Sequence, residues 1–260
     1  MGGRMLGDGP LWELSAGGGW TEAEVAVLLL PGVGSGVTDF SLWPRHLTST
    51  VRALTARYPG RKADPEAPGA DPASGLADLA AELANAVAQY TTEPLVILGH
   101  SMGAVIGYEV AWCLQQRGRP ALALHVCAAF SPPEYAAFDV AGRALTDDDL
   151  TALTATLAIP LPTEEREADR REALRAIRAD LTLIDTYAYG PHPRPLEYPV
   201  TVWTARDDAI VPAASVPRWQ PMTRHPLTHH VLPVPHHFLD SPQAVEPITR
   251  ALREGLRRLH

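Results

Sequence analysis

The sequence predicts an α/β protein with a mostly parallel, doubly wound sheet, and three observations support this fold class. Continuous apolar runs at 25–31, 94–100 and 121–130 are typical of strands that are buried on both faces. Segments with helical periodicity alternate with these runs, which is the pattern of repeated βα units. With 260 residues, 46% hydrophobic and 20% charged, the chain is long and apolar enough for one such core.

The elements of the first half follow one another in regular alternation. Helices are predicted where apolar residues recur every three to four positions, and Gly118 with Pro120 gives a stop signal for one of them. After the first strand, the predicted order is a helix around 41–57, a loop rich in Pro, Gly and Asp at 58–72, a helix at 74–90, the strand at 94–100, a helix at 102–117 and the strand at 121–130.

The alternation stops after the third strand. The stretch 131–199 is far longer than the dozen or so residues that a crossover connection needs. It contains helix-prone segments at 146–157 and 164–188, which are separated by prolines. We therefore expect one domain, 1–260, with a helical lid inserted at about 132–190.

Strand character returns in the last third of the chain. Apolar and β-branched residues predict strands at 199–203 and 229–234, each followed by a loop. Ser241 and Pro242 have the residue types of an N-cap and a first helical position, so they predict the start of a C-terminal helix.

Charge and composition exclude several classes of protein. The formal net charge is −8 and the sequence has no basic stripe, so binding to nucleic acid is not expected. Residues 1–20 have no apolar core of a signal peptide, and no apolar run approaches the roughly 20 residues of a membrane span. Two cysteines do not indicate a disulfide framework. We expect a cytoplasmic protein with no membrane partner.

The strongest chemical signal is the pentapeptide Gly99-His100-Ser101-Met102-Gly103 between a predicted strand and a predicted helix. A G-x-S-x-G sequence in this context is typical of a nucleophile elbow, in which a sharp turn exposes the serine at the carboxyl edge of the sheet. The start of the following helix also favours a developing negative charge. Ser101 is therefore the predicted nucleophile.

A serine nucleophile needs a histidine base that is oriented by a carboxylate, in the chain order Ser, acid, His for this architecture. Asp207 and Asp208 follow the strand at 199–203, and His236 and His237 follow the strand at 229–234. Each pair lies at the carboxyl end of a strand, and in open α/β sheets ligands bind at the carboxyl ends of the strands. Spacing alone does not choose within either pair.

The loop after the first strand, 31–36, is rich in glycine and predicts one of the two backbone N–H donors of an oxyanion hole. Met102 N–H is the expected first donor. The loop lacks the Gly-Lys-Ser/Thr ending of a phosphate-binding loop. The histidines between 225 and 237 show no metal-ligand spacing, so no metal is expected.

With these motifs in place, the chain resembles the α/β-hydrolase thioesterases of polyketide and nonribosomal peptide biosynthesis, and among them the stand-alone type II enzymes. The resemblance covers nearly the whole chain. It is carried by LLLPGVGSGVTDFSLWPRHL at 28–47, GHSMGA at 99–104, IRADLTLIDTYAY at 177–189, PVTVWTARDDAIVP at 199–212 and PHHFL at 235–239.

The resemblance implies an α/β-hydrolase fold and a choice of site residues. Aligning Val211-Pro212 on the family's acid loop indicates Asp208 as the acid, and comparing PHHFL with the family's Gly-Gly-His-Phe-Phe-Leu favours His237 as the base. For the second oxyanion donor it favours Val33, with Gly32 as the alternative.

The same resemblance implies the activity. The expected reaction is hydrolysis of an acyl or peptidyl thioester on the phosphopantetheine of a carrier protein of a polyketide synthase or nonribosomal peptide synthetase, for editing or for product release, with no cofactor. Arg171, Arg175 and Arg178 share one face of the predicted helix at 164–188, so they could contact the carrier or could be a solvated face. A carboxylesterase or acyltransferase of the same fold, and a non-hydrolytic relative, remain alternatives.

Overall fold

The computed structural model describes residues 2–7, 9–15, 23–35, 40–59, 75–139, 142, 144–157, 159–163, 166–190 and 194–257. Most of the predicted loop at 58–72 and residue 36 of the predicted oxyanion loop lie outside the described residues.

The described residues form an eight-stranded sheet in which the last six strands in spatial order are parallel. The order is β1-β2-β4-β3-β5-β6-β7-β8, and only the β1–β2 and β2–β4 pairs are antiparallel. The strands are β1 (Gly2–Met5), β2 (Leu11–Ser15), β3 (Val25–Leu30), β4 (Val51–Ala56), β5 (Leu95–His100), β6 (Ala123–Cys127), β7 (Val200–Asp207) and β8 (Thr228–Pro235).

Helices cover both faces of this sheet, as its sequence pattern requires. All six residues of β3 are buried, and they alternate between two apolar clusters: Leu28 and Leu30 belong to one, Val27 and Leu29 to the other. Helices α2 (Leu76–Tyr90) and α3 (Met102–Gln116) pack in the first cluster, whereas α1 (Trp43–His46) and α7 (Pro242–Arg257) pack in the second. The predicted doubly wound, mostly parallel α/β architecture is confirmed.

In the described part of the segment after β6, three helices precede the return of the chain to the sheet. They are α4 (Pro132–Tyr135), α5 (Asp147–Thr156) and α6 (Glu167–Asp185), all within the predicted lid segment, and a 3₁₀ helix at Ala213–Met222 lies between β7 and β8. Apolar residues of α6, including Leu174, Ile177 and Leu181, are buried in the same cluster as α2 and α3. This packing holds α6 over the carboxyl end of the sheet, where Ile177 lies against Gly34 of the loop after β3.

The predicted helix around 41–57 is wrong. The structure has only the short helix α1 there, followed by β4, which pairs in parallel with β3. β4 is mostly buried between β2 and β3, and its one partly exposed polar residue, Arg52, is paired with Glu13 and Glu93. Sheet burial therefore overrides the helical spacing of apolar residues in this segment.

The N-terminal segment also contains two strands that the sequence pattern did not indicate. β2 pairs antiparallel with β4 and adds β1 at the edge of the sheet. Within the part of the chain that the structure describes, no helix is long and apolar enough to cross a membrane.

Candidate active site

Ser101 lies on a sharp turn between β5 and α3. Its backbone has φ 52° and ψ −121°, a left-handed region that non-glycine residues rarely adopt. The turn is possible because glycines on both sides allow close approach: a Cβ on Gly99 would lie 2.2 Å from the Gly103 oxygen, and one on Gly103 would lie 2.2 Å from the Leu30 oxygen. The predicted strand–turn–helix context of the elbow is therefore present.

Asp208 follows β7 and is held as an ionised acceptor. Its Oδ1 accepts the backbone N–H groups of Ile210 and Val211 at 2.8 and 2.9 Å. Burial would raise the pKa of Asp208, but the hydrogen bonds from His236 and from these two N–H groups more than offset it and leave the pKa below its ordinary value. A carboxylate in this state can orient a histidine.

That histidine is His236. Its Nδ1 lies 3.0 Å from Oδ1 and 2.9 Å from Oδ2 of Asp208, so Nδ1–H donates to the carboxylate and Nε2 carries the free lone pair. The predicted partner, His237, points elsewhere: its Nε2 donates to the Leu157 carbonyl oxygen, 3.1 Å away, beyond the C-terminus of α5. The structure therefore places His236, and not His237, in the acid–histidine pair.

The reason for this difference lies in how the segment is aligned. Matching Pro235-His236-His237-Phe238-Leu239 without a gap to the end of Gly-Gly-His-Phe-Phe-Leu places His236 on the histidine and His237 on the first Phe. In the structure Phe238, which directly follows the two histidines, is fully buried, as expected for an apolar residue at this aligned position. The Phe-Leu ending was thus a sequence signal that could have selected His236.

His100, the residue before Ser101, forms a hydrogen bond with the backbone of His236. Its Nε2 donates to the His236 carbonyl oxygen at 2.8 Å, and the two rings lie 5.0 Å apart between centroids. Complete burial lowers the pKa of His100 to about 3, so the ring is neutral near neutral pH. This contact ties the loop after β8 to the elbow.

The candidate oxyanion donors lie close to Ser101 along the chain or in space. Met102 is the first residue of α3, and its N–H is one of the helix-terminal donors that lack an intrahelical acceptor. A Cβ on Gly32 would lie 3.2 Å from the Ser101 Cβ, so the loop after β3 passes directly beside the serine. Val33 lies next along this loop, so Met102, Gly32 and Val33 remain the predicted donors.

One side chain of α6 holds this loop in place. Oδ2 of Asp180, in α6, accepts the Gly34 N–H at 2.8 Å, and the Asp180 side chain is fully buried. The sequence placed Asp180 only in a motif that resembles the family. The hydrogen bond between Asp180 and Gly34 joins residues that are 146 positions apart in the chain, so the sequence pattern could not predict it.

A second residue at the site carries no sequence signal. Tyr135, at the end of α4, is buried, and its hydroxyl is close enough to the Ser101 side chain for that side chain to lower the pKa of the phenol. Burial raises the pKa of Tyr135, and the negative charge of Asp180 acts in the same direction, so the phenol keeps its proton.

A small cavity of about 140 Å³ lies beside the histidines. It is bordered by the oxyanion loop, by the segment after α5 and by the segment that follows His236. Its lining residues are Gly34, Ser35, His100, Ile159, Pro160, His237, Phe238, Leu239 and Asp240.

Two of the three arginines predicted on one face of α6, Arg171 and Arg178, have partners within the chain. Arg178 donates to the Leu145 carbonyl oxygen and forms an ion pair with Asp147 at 2.7 Å, and Arg171 lies 3.3 Å from Glu167. Arg178 therefore joins α6 to the start of α5. This favours the alternative in which the arginine face is a structural and solvated surface.

Among the described residues, no group of three or more His, Cys, Asp or Glu side chains is arranged to hold a metal ion.

Comparison with known proteins identifies a family. Residues 26–254 match the Thioesterase domain family. The chain is 30% identical over 219 residues to the probable cadicidin biosynthesis thioesterase of Streptomyces griseus, covering 83% of this chain and 58% of that protein. It is 25% identical to the gramicidin S biosynthesis protein GrsT of Aneurinibacillus migulanus, covering 84% of each.

Solved structures show the same architecture. The RedJ thioesterase from the prodiginine biosynthetic pathway in Streptomyces coelicolor superposes with a TM-score of 0.77 at 28% identity, covering 90% of this chain and 86% of that one. The type II thioesterase BorB from the borrelidin biosynthetic cluster gives 0.77 at 26% identity, covering 91% and 96%. The predicted α/β-hydrolase fold is confirmed by these neighbours.

Proposed function

Because the chain belongs to the Thioesterase domain family, we propose that it is a stand-alone serine thioesterase that hydrolyses acyl or peptidyl thioesters on carrier proteins. The observation that carries this proposal is the Asp208–His236 pair, which the hydrogen bond from His100 to the His236 carbonyl oxygen ties to the strained elbow of Ser101. Relatives named for cadicidin and gramicidin S biosynthesis support a role in polyketide or nonribosomal peptide pathways.

The proposed mechanism uses only side chains and backbone groups of this chain. His236 Nε2 takes the proton of the Ser101 hydroxyl as Oγ attacks the thioester carbonyl, while Asp208 stabilises the imidazolium that forms. Met102 N–H and an N–H of Gly32 or Val33 bind the oxyanion. The tetrahedral intermediate then expels the thiolate, which takes the proton from His236.

The second half of the reaction repeats the same roles with water. His236 deprotonates a water that attacks the Ser101 ester, and the acid leaves as the proton returns to the serine. Serine, histidine and carboxylate supply the nucleophile, the base and its orientation, so the proposal includes no metal and no cofactor.

The proposal extends to the partner and the setting. The thiol of the substrate is the phosphopantetheine of an acyl or peptidyl carrier protein, and the reaction serves editing of stalled chains or product release. The segment 132–190 is the lid over the site. The two cysteines, Cys113 and Cys127, are free thiols, which suits the reducing cytoplasm.

The test is hydrolysis of acyl-carrier proteins and of acyl-N-acetylcysteamine thioesters by the wild type and by Ser101→Ala. We expect acid release by the wild type and a loss of about 10³-fold or more in the variant. Ser241→Ala, at the start of α7, is the matched serine control and should retain activity. Equal activity of wild type and Ser101→Ala would contradict the assignment.

Two further measurements separate the alternatives. Hydrolysis of p-nitrophenyl esters without any hydrolysis of carrier thioesters would indicate a carboxylesterase of the same fold. If a fluorophosphonate fails to label Ser101 in the folded protein, a non-hydrolytic role is favoured.

A further inference from the structure

The small cavity beside the histidines is lined by the chain neighbours of both reacting side chains. His100 precedes Ser101, His237 follows His236, and both His100 and His237 line the cavity. The ring centroids of these two lining histidines are 6.0 Å apart. They lie 5.0 and 4.9 Å from the centroid of the His236 ring. The cavity is therefore next to the base and to the turn that carries the nucleophile.

The oxyanion loop joins another wall of the cavity to Ser101. In this loop the Ser35 N–H donates to the Gly32 carbonyl oxygen at 3.2 Å, which closes a tight turn. A Cβ on Gly32 would lie 3.2 Å from the Ser101 Cβ, whereas Gly34 and Ser35 line the cavity. One end of the turn thus contacts the nucleophile, and the other end forms part of the cavity wall.

Most of the cavity wall is shielded from solvent. All lining residues are buried or half-buried except Pro160 and Asp240. Pro160 lies in the segment after α5, and Asp240 lies in the segment that follows the base. The cavity is therefore an enclosed pocket whose exposed border is formed by these two residues.

The volume of about 140 Å³ limits what this cavity can bind. A cavity of about 150 Å³ in another protein holds one benzene molecule, so this one has room for about six non-hydrogen atoms. A long acyl chain does not fit. The cysteamine end of a pantetheine arm has the right size, because it consists of the sulfur, two methylenes and an amide.

The lining is also mixed in polarity. Ser35, His237 and Asp240 contribute polar side chains, and Ile159 and Phe238 contribute apolar ones. Pockets that combine apolar walls with a few polar groups fix the orientation of a ligand that has both kinds of group. Two methylenes followed by an amide match this lining better than a plain alkyl chain does.

The position of the base decides which half of a thioester lies here. His236 returns its proton to the leaving sulfur, so the sulfur and the arm attached to it must lie beside His236. The cavity is lined by the residues that directly follow His236. It is therefore on the thiol side of the scissile bond.

We propose that this cavity is the subsite for the cysteamine end of the leaving thiol. The inference rests on the proposed thioesterase function and adds the part of the substrate that the cavity recognises. The acyl group lies outside the cavity, so the cavity determines the preference for the thiol and not the preference for acyl length.

The experiment varies the thiol and the acyl group separately. The thiol ratio is kcat/KM for acetyl-N-acetylcysteamine divided by that for S-methyl thioacetate, and the acyl ratio compares butyryl- with acetyl-N-acetylcysteamine. Pro160→Trp and Asp240→Trp each place an indole at the cavity from an exposed position, so we expect the thiol ratio to fall at least tenfold and the acyl ratio to stay within twofold. Pro217→Trp, at an exposed position outside the lining, is the matched control and should change neither ratio.

Each outcome decides the assignment. The intrinsic reactivities of the two thiol esters cancel when the same ratio is compared between variant and wild type, so a tenfold lower thiol ratio in either variant supports the subsite. A thiol ratio within twofold of wild type in both variants overturns it. A changed acyl ratio would place the acyl group in the cavity and also overturns it. Absence of thioester hydrolysis by the wild type would instead contradict the proposed function.

Discussion

The carboxylate of Asp208 contacts Nδ1 of His236 through both oxygens, at 3.0 and 2.9 Å, whereas the adjacent His237 donates to the carbonyl of Leu157. Two neighbouring histidines thus have different tasks. One is oriented for proton transfer, and the other joins the loop after β8 to the segment after α5.

The two histidines should therefore respond differently to substitution. We expect His236→Ala to lower kcat about 10³-fold or more because it removes the base. His237→Ala removes a contact with the Leu157 carbonyl and should stay within about tenfold of the wild type. Steady-state kinetics on one thioester measures both. The reverse order of effects would restore His237 as the base.

Asp208→Asn tests the orientation of the base. Because the pKa of Asp208 is lowered, the carboxylate stays ionised at mildly acidic pH and should not cause the acid limb of the pH–rate profile. The amide of the variant cannot accept Nδ1–H in the same way, so we expect kcat to fall about 10³- to 10⁴-fold. Circular dichroism provides the control for folding. A fall of less than tenfold would indicate another acid.

Asp180 should affect catalysis through the oxyanion loop. Asp180→Ala leaves the Gly34 N–H without its acceptor, which costs about 1–3 kcal/mol and frees the loop. We expect kcat to fall about tenfold or more in Asp180→Ala, and by less in Asp180→Asn, whose amide oxygen can still accept. Equal kcat values in both variants and the wild type would show that the loop does not depend on this contact.

The sequence pattern predicted those features that depend mainly on residues close together in the chain. The continuous apolar runs of β3 and β5 and the glycine-flanked Ser101 were recognisable because burial on two faces and a tight turn each restrict residue type. The position of Asp208 followed from the chain order of the triad and from the resemblance of its loop.

The remaining features depend on contacts between distant segments. The apolar residues of β4 have helical spacing, but the segment is a strand. It pairs with β2 along one edge and with β3 along the other, and most of its side chains are buried. Tyr135 reaches Ser101 only after the chain has folded. The identity of the base depends on which of the two neighbouring histidines faces Asp208 in the folded protein. His236 does so, directly before the buried Phe238.

The elbow glycines should be intolerant of any side chain. A Cβ on Gly103 would lie 2.2 Å from the Leu30 oxygen and 2.4 Å from the Pro31 oxygen, both backbone atoms. We expect Gly103→Ala to lower the free energy of unfolding by about 3 kcal/mol, measured by urea denaturation. Gly255→Ala, in α7 with open space around it, is the control and should raise it by up to about 1 kcal/mol. Equal stability of both variants would contradict the packing described.

A buried histidine outside the site should make stability depend on pH. His125 accepts the Trp203 indole N–H at Nδ1, 3.1 Å away, and its burial lowers its pKa to about 4. In the unfolded chain its pKa is about 6.5. Between pH 6.5 and 4 the unfolded state therefore binds more protons than the folded state, so this residue makes stability fall as the pH is lowered.

We expect His125→Gln, whose side-chain oxygen can still accept the indole N–H, to reduce the slope of unfolding free energy against pH in this window. The reduction should approach one proton, about 1.4 kcal/mol per pH unit. His100, buried and neutral in both proteins, contributes equally to both curves. Parallel curves for wild type and His125→Gln would show that His125 is protonated equally in the folded and unfolded states.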